Sequence, residues 1–323
     1  MQSFAGRFNV TALTPEDTMS DQDVPAASHG RTTRGALIKA GGLAVVGATA
    51  AGAFAGGAAA SGRTVAAGES VLDRWLSSKK AKLGVDLTFP PLQFIDPKTK
   101  KPSGYMVEIT ELMMKDLGVT PQYVQTPFAQ LFAGLAANKF DMVGIAATIL
   151  PSRALQGWFA GVPVFYESNV VLVRKSSKAH SLADLQRAKI AVLQGSSQQA
   201  SAPVIFPKAS FKAMATESDA ATEVSVGRAD AAIFSEFSAG SILGNNKNLR
   251  PLGGPALFVD ANTYFMPDGD EKLWQWVTNW LRYQSTHQTM AGLWKKWVVP
   301  STKKYHLNTS LVGTNGVAVP FQS

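Results

Sequence analysis

From Leu83 to Phe234 the sequence keeps switching between strand-like and helix-like periods, and few architectures accommodate that alternation. A strand is expected over Leu83–Phe89, then a helix over Val107–Leu117 that puts Ile109, Leu112 and Met113 on one face and stops at Gly118. A strand at Gln122–Gln125, a helix at Phe128–Asn138 and a strand at Phe140–Ile145 follow. After Tyr166 the pattern restarts with a strand at Val170–Val173, a helix at Ser181–Arg187 capped by Ser181, and a strand at Ile190–Leu193. Next come a helix from Ser197, a helix at Asp219–Gly227 and a strand at Ala231–Phe234. This order predicts an α/β protein whose ligands bind at strand ends.

One strand end carries unusual chemistry. Phe140–Ile145 runs into small residues, the hydroxyl of Thr148, a proline and Arg153 before the next apolar strand opens near Asn169. An arginine fixed beside a strand end grips a carboxylate well, because its planar fork donates two parallel charge-assisted hydrogen bonds. Taken alone, the same arginine reads better as a surface group solvating a loop.

Composition narrows the function. The 323 residues are 46% apolar and 17% charged, enough core for two lobes. The net charge is +8, and the first 60 residues balance four bases (Arg7, Arg31, Arg34, Lys39) against four acids (Glu16, Asp17, Asp21, Asp23). The excess therefore belongs to the remainder, where lysines and arginines are scattered rather than striped, which argues against nucleic-acid binding. With no cysteine there is no disulfide, thiolate nucleophile, Cys-ligated metal or lipoprotein anchor. His29, His180, His287 and His306 are isolated and lack metal spacing, so neither a metal nor a cofactor is expected.

Gly35–Ala60 is rich in Ala, Gly, Val and Leu, follows Arg31 and Arg34, ends in the small-residue run Ala58–Ala60 and is followed by another at Val65–Ala67. That is the layout of an export signal, of Tat-like or Sec type, with an uncleaved anchor as the alternative. Near the C-terminus Leu273, Trp276, Val277, Trp280 and Leu281 share a helical spacing, as do Met290, Leu293, Trp294 and Trp297. Such stripes are read here as helix faces packed on a core rather than stacking platforms.

The order K-x-D, strand, T-I-x-P-x-R, aromatic-rich strand and R-K across Asn138–Lys175 resembles the family 3 extracellular solute-binding proteins. Further matches are G-V-D-L-T-F-P-P-L at Gly84–Leu92, P-S-G-Y-M-V-E-I at Pro102–Ile109, S-L-A-D-L at Ser181–Leu185, I-A-V-L-Q-G-S-S at Ile190–Ser197 and G-R-A-D-A-A-I-F at Gly227–Phe234. The resemblance covers Leu83 to Trp297 and implies a two-lobed, type II periplasmic-binding-protein-like α/β fold whose two crossovers form a hinge. It places lobe 1 at 68–165 plus 259–300, lobe 2 at 166–258, a leader at 1–67 and a C-terminal tail at 301–323. It implies a monomeric, non-enzymatic periplasmic protein that closes on a small carboxylate-bearing solute, an amino acid or analogue, and docks on an ABC permease.

By the same resemblance Arg153 is the carboxylate anchor, with Thr148 and Ser196 adding hydroxyl and backbone contacts. Phe89 and Phe128 match solute-walling positions, although ordinary lobe packing explains them as well. Asp86 matches an acidic position near the cleft, against the simpler reading of a strand-end acid in a local hydrogen bond. The family's ammonium-binding aspartate is replaced by Ser235, with Glu236 next, and Ala146 replaces a frequent hydroxyl. Either Glu236 takes over that role or the solute lacks an α-amino group, since a buried ammonium without a carboxylate is costly. Two other readings remain: a same-fold lyase such as a cyclohexadienyl dehydratase, with Glu236 as general acid, and a sensor that presents solute to a receptor.

Overall fold

A computed structural model describes residues 69–305; the expected export signal and most of the expected tail lie outside them. Helix α1 (Val71–Ser78), capped by Ser70, leads into β1 (Lys80–Val85). The strand expected to reach Phe89 ends at Val85, because the Asp86 carboxylate accepts hydrogen bonds from the Thr88 N–H and hydroxyl and turns the chain. A small antiparallel sheet follows, made of β2 (Thr88–Phe89), β3 (Gln93–Ile95) and β4 (Pro102–Ser103). Helix α2 (Tyr105–Asp116) stops where expected: Gly118 takes φ +64, and the Gly118 and Val119 N–H groups bond back to Lys115 and Met114.

β5 (Thr120–Gln125) precedes a 3₁₀ turn at Phe128–Gln130 and the short helix α3 (Leu131–Ala136), so the expected helix over 128–138 is shorter and begins tightly wound. β6 (Met142–Thr148) is buried at every position and lies parallel to β1. It passes under Gly84, where an added Cβ would overlap the Phe140 ring. The turn α4 (Pro151–Ala154) carries Arg153, and β7 (Trp158–Phe159) follows.

β8 (Phe165–Arg174) opens the second lobe, followed by a 3₁₀ turn at Leu182–Leu185 with a Ser181–Asp184 capping box where a helix was expected. Then come β9 (Lys189–Leu193), α5 (Ser197–Ile205), β10 (Ser210–Met214), α6 (Glu217–Ser225), β11 (Ala231–Ser235), α7 (Glu236–Asn245) and β12 (Leu249–Pro251). β13 (Phe258–Met266), α8 (Glu271–Thr286) and α9 (Thr289–Tyr305) complete the chain. α9 runs through Pro300 to Tyr305, past the expected start of an aperiodic tail at 301.

The sheet order β10-β9-β11-β8-β13-β6-β1-β5 is continuous, and it changes hands in the middle. β8 pairs with β13 over Phe165–Asn169 and with β11 over Asn169–Val173. β13 pairs with β8 over Phe258–Asn262 and with β6 over Asn262–Phe265. These two antiparallel strands are thus the crossovers between two separately cored halves. One core gathers Trp75, Leu83, Ile109, Ile145, Tyr264 and Leu281; the others gather Ile190, Phe206 and Ile233, and Leu172, Val224 and Phe234. The tryptophan stripes are core faces, as expected: Trp280 and Trp294 are buried, and Trp276 and Trp297 pack against the same core. Phe237, at the start of α7, sits in the first core, edge-on to Phe165 (5.7 Å) and Trp294 (5.4 Å).

Candidate functional site

A cavity opens where the sheet changes hands. One side contributes Asp86, Thr88, Phe89, Gln93, Phe128, Ala146, Ala147 and Thr148; the other contributes Leu193, Ser196, Ser197, Gln198 and Glu217; Phe165, Glu167 and Asn262 come from the crossover strands. A site there follows from the topology, because residues at the register handover face both lobes. Thr148 lies opposite Asn262 in the β6–β13 ladder, and its hydroxyl donates to Asn262 Oδ1 at 3.1 Å. Asn262 Nδ2 in turn donates to Glu167 Oε2 at 3.1 Å.

Arg153 is buried beside this cavity rather than in its lining. Its guanidinium lies 4.4 Å from the Phe132 ring centre and 5.4 Å from that of Phe128. Nη1 donates to the Thr148 carbonyl (2.8 Å) and Nη2 reaches across to the Gly195 carbonyl (2.7 Å), so one side chain ties the lobes together. Burial lowers its pKa to about 10, opposed by the charges of Asp260 and Glu167. It lines an adjoining cleft with Phe132, Leu150, Gly195 and Ser196, and Ser196 belongs to both spaces. Ser196 caps α5, its Oγ accepting from the Gln199 N–H at 3.2 Å, so the first turn of that helix opens on the cavity with its positive dipole end.

Three carboxylates, and neither lysine nor arginine, line the cavity of a chain whose net charge is +8. Burial raises Glu167 to about 8; a hydrogen bond from Ser235 opposes the shift, and the charges of Asp260, Glu217 and Glu236 add to it. Burial raises Glu217 to about 7, against hydrogen bonds from the Ser238 hydroxyl and the Ser235 N–H, with Asp86 adding to the shift. Asp260, which accepts from Ser197 Oγ (2.5 Å) and Asn169 Nδ2 (3.1 Å), is also raised, chiefly by burial.

Of the residues expected at the site, Asp86, Phe89, Phe128, Thr148 and Ser196 line the cavity, and Arg153 adjoins it. Asp86 fulfils the local reading too, its Oδ2 accepting the Phe128 N–H at 2.8 Å. Ser235 and Glu236 are not among the lining residues. Ser235 caps α7, and Glu236 Oε1 accepts the Ser168 N–H at 3.4 Å. Besides Asp86, two acids outside the expected set reach the cavity, Glu167 and Glu217. Glu167 had a legible signal, since E-S-N at 167–169 interrupts an otherwise apolar strand. Glu217 had none, because an acid in the first turn of a helix is ordinary dipole compensation.

Two lobes, two crossover strands and a polar cavity at the crossover define a solute-binding protein. Residues 81–300 match the model of the bacterial extracellular solute-binding proteins, family 3, and the chain belongs to that family. A probable amino-acid ABC transporter periplasmic-binding protein of Sinorhizobium fredii, y4tE, is 29% identical over 147 residues, covering 44% of this chain and 49% of that one. The arginine-binding extracellular protein ArtP of Bacillus subtilis is 25% identical over 236 residues, covering 72% and 91%. The match thus spans about half of the first relative and nine-tenths of the second. The crystal structure of the ancestral amino acid-binding protein AncCDT-1, a precursor of cyclohexadienyl dehydratase, is 26% identical with a TM-score of 0.63, covering 71% of this chain and 100% of that one. The cysteine-binding protein from Campylobacter jejuni shares the fold at 19% identity, TM-score 0.67, covering 78% and 99%.

Proposed function

We propose that this protein captures an amino acid in the interlobe cavity and delivers it, closed and as a monomer, to an ABC permease from the periplasm. The presence of Glu167 in the cavity, hydrogen-bonded by Ser235, carries this reading. The missing aspartate of the resemblance is compensated by an acid on the neighbouring crossover strand, so an α-ammonium has a carboxylate partner. Arg153, Thr148 and Ser196 stand at the carboxylate end, and Phe89 and Phe128 wall the solute. Relatives named as amino-acid ABC transporter binding proteins support the same reading. No helix among the described residues is long and apolar enough to cross a membrane.

A thermal-shift screen of amino acids against their amine-free 2-oxo counterparts tests the reading, because a solute that binds only the folded state raises the melting temperature. Amino acids are expected to shift it and the 2-oxo acids are not. Arg153→Ala is expected to weaken solute binding by roughly 2–5 kcal/mol, the cost of unpairing a buried charge. Unchanged affinity would remove Arg153 from the site.

A lyase reading has one observation in its favour: Glu167, protonated near neutral pH in the interlobe cavity, has the form of a general acid. It takes the place expected of Glu236, which faces the Ser168 amide instead. Turnover of a hydroxylated cyclohexadiene carboxylate that disappears in Glu167→Gln would establish it; binding without turnover would leave transport.

A further inference from the structure

We infer that a second hollow, on the first lobe and outside the interlobe cavity, binds a small alkylated ammonium cation between Trp158 and Trp274, with Glu271 as its counter-charge. Such a site is separate from solute capture, which would stand unchanged without it.

The hollow measures about 490 Å³ and is walled by Ile149, Ala154, Trp158, Phe159 and Trp274, with Glu271 at one side. That volume suits a small molecule. The two indoles stand at 84° with ring centres 6.0 Å apart, so they form adjoining walls of a corner. The corner is fixed from behind. Trp158 and Phe159 pair with Met266 and Phe265 of β13. The Trp274 indole N–H donates to the Phe159 carbonyl at 2.7 Å, and the Gly161 N–H donates to the Thr278 hydroxyl at 3.0 Å. Gly157 permits the close approach, since an added Cβ there would lie 2.5 Å from the Met266 carbonyl oxygen.

Walls of this kind select charge as well as shape. An indole attracts a cation more strongly than other aromatic side chains do, because the ring quadrupole is negative at its face. No described lysine or arginine lies over Trp158 or Trp274. Glu271 is exposed in the first turn of α8, and its Oε1 accepts from Gln275 Nε2 at 2.9 Å, which leaves Oε2 for a ligand. The adjacent Lys272 is engaged by Asp73 at 2.5 Å and does not neutralise Glu271. An anion would be repelled by that carboxylate, and a bare ammonium would find too few acceptors for its N–H groups on apolar walls. Alkyl groups on the nitrogen remove those donors and match the indoles, so the ligand class is a methylated or quaternary ammonium. Ile149 and Ala154 line this hollow, whereas their neighbours Thr148 and Arg153 line the solute cavity and its adjoining cleft. The segment around α4 thus has one side on each space.

Calorimetric titration of the purified full chain with choline and with neopentyl carbinol tests this, because the alcohol replaces the ammonium nitrogen by carbon and keeps the shape. Choline is expected to bind with a Kd of about 1 mM or below, and about tenfold or more tightly than the alcohol. Trp158→Leu is expected to weaken choline binding about tenfold. Glu271→Gln is expected to weaken it about two- to fivefold, as for an exposed charge pair. In the wild type, choline is expected to shift the indole N–H resonances of Trp158 and Trp274, which fixes the location even where a variant does not fold. Equal binding of the two probes, no binding of choline at about 20 mM, or unshifted resonances for both tryptophans would overturn the site. Choline binding that Glu167→Gln abolishes and Trp158→Leu spares would place the cation in the interlobe cavity and overturn it as well.

Discussion

Glu167→Gln separates what the cavity acid does for stability from what it does for binding. In the folded, ligand-free protein burial holds this group to a pKa of about 8, whereas unfolded it titrates near 4.5. Between those values the folded state keeps a proton that the unfolded state has released, so stability falls as pH rises through the window. Each pKa unit corresponds to about 1.4 kcal/mol, and the gap therefore amounts to about 4 kcal/mol lost between pH 5 and pH 9. Glutamine keeps the shape and cannot ionise. Ligand-free Glu167→Gln should thus match the wild type near pH 5 and exceed it by about 4 kcal/mol at pH 9, read by urea denaturation at both pH values. The same variant should lose affinity for any amino acid, because its α-ammonium then meets a neutral amide. A stability difference that stays within about 1 kcal/mol from pH 5 to 9 would refute the claim that burial keeps this carboxyl protonated.

Affinity for an amino acid should rise with pH toward about 8, because Glu167 must lose its proton to partner an α-ammonium; a flat profile from pH 6 to 8 would contradict it. Phe237→Ala should destabilise the protein by about 3–5 kcal/mol in urea denaturation, because it empties the space between Phe165 and Trp294 inside the core of the other lobe.

How far the sequence reveals this protein depends on whether the deciding interaction is local. Strands such as Ile190–Leu193 and Ala231–Phe234 announce themselves by continuous apolar character, and they appear within a residue of the expected bounds. The helix at 107–117 is equally plain, since Ile109 and Met113 share a buried face and Gly118 provides a local stop. The strand expected to run to Phe89 stops at Asp86, whose carboxylate accepts the nearby Thr88 N–H and hydroxyl and also recruits the amide of Phe128, 42 positions away. No local pattern encodes that bond. The exposed strand at Ser210–Met214 went unseen for the opposite reason: at the sheet edge it has little buried face to give it a period.

The site follows the same rule with one instructive exception. Arg153, Thr148 and Ser196 sit at strand or helix ends that local sequence makes legible, whereas their expected roles come from the family resemblance. Glu167, proposed above to answer the family's missing aspartate, is neither at the aspartate's position nor beside it. β11 pairs antiparallel with β8, placing Ser235 opposite Asn169, and Glu167 lies two residues along, on the same face of the partner strand as Asn169. The proposed partner of an α-ammonium thus stands on the strand beside the replaced position, while the linear sequence shows a loss at 235 and a polar run at 167–169. Glu236 adjoins Ser235 in sequence but is directed to the Ser168 amide, because successive residues point apart as a strand turns into a helix.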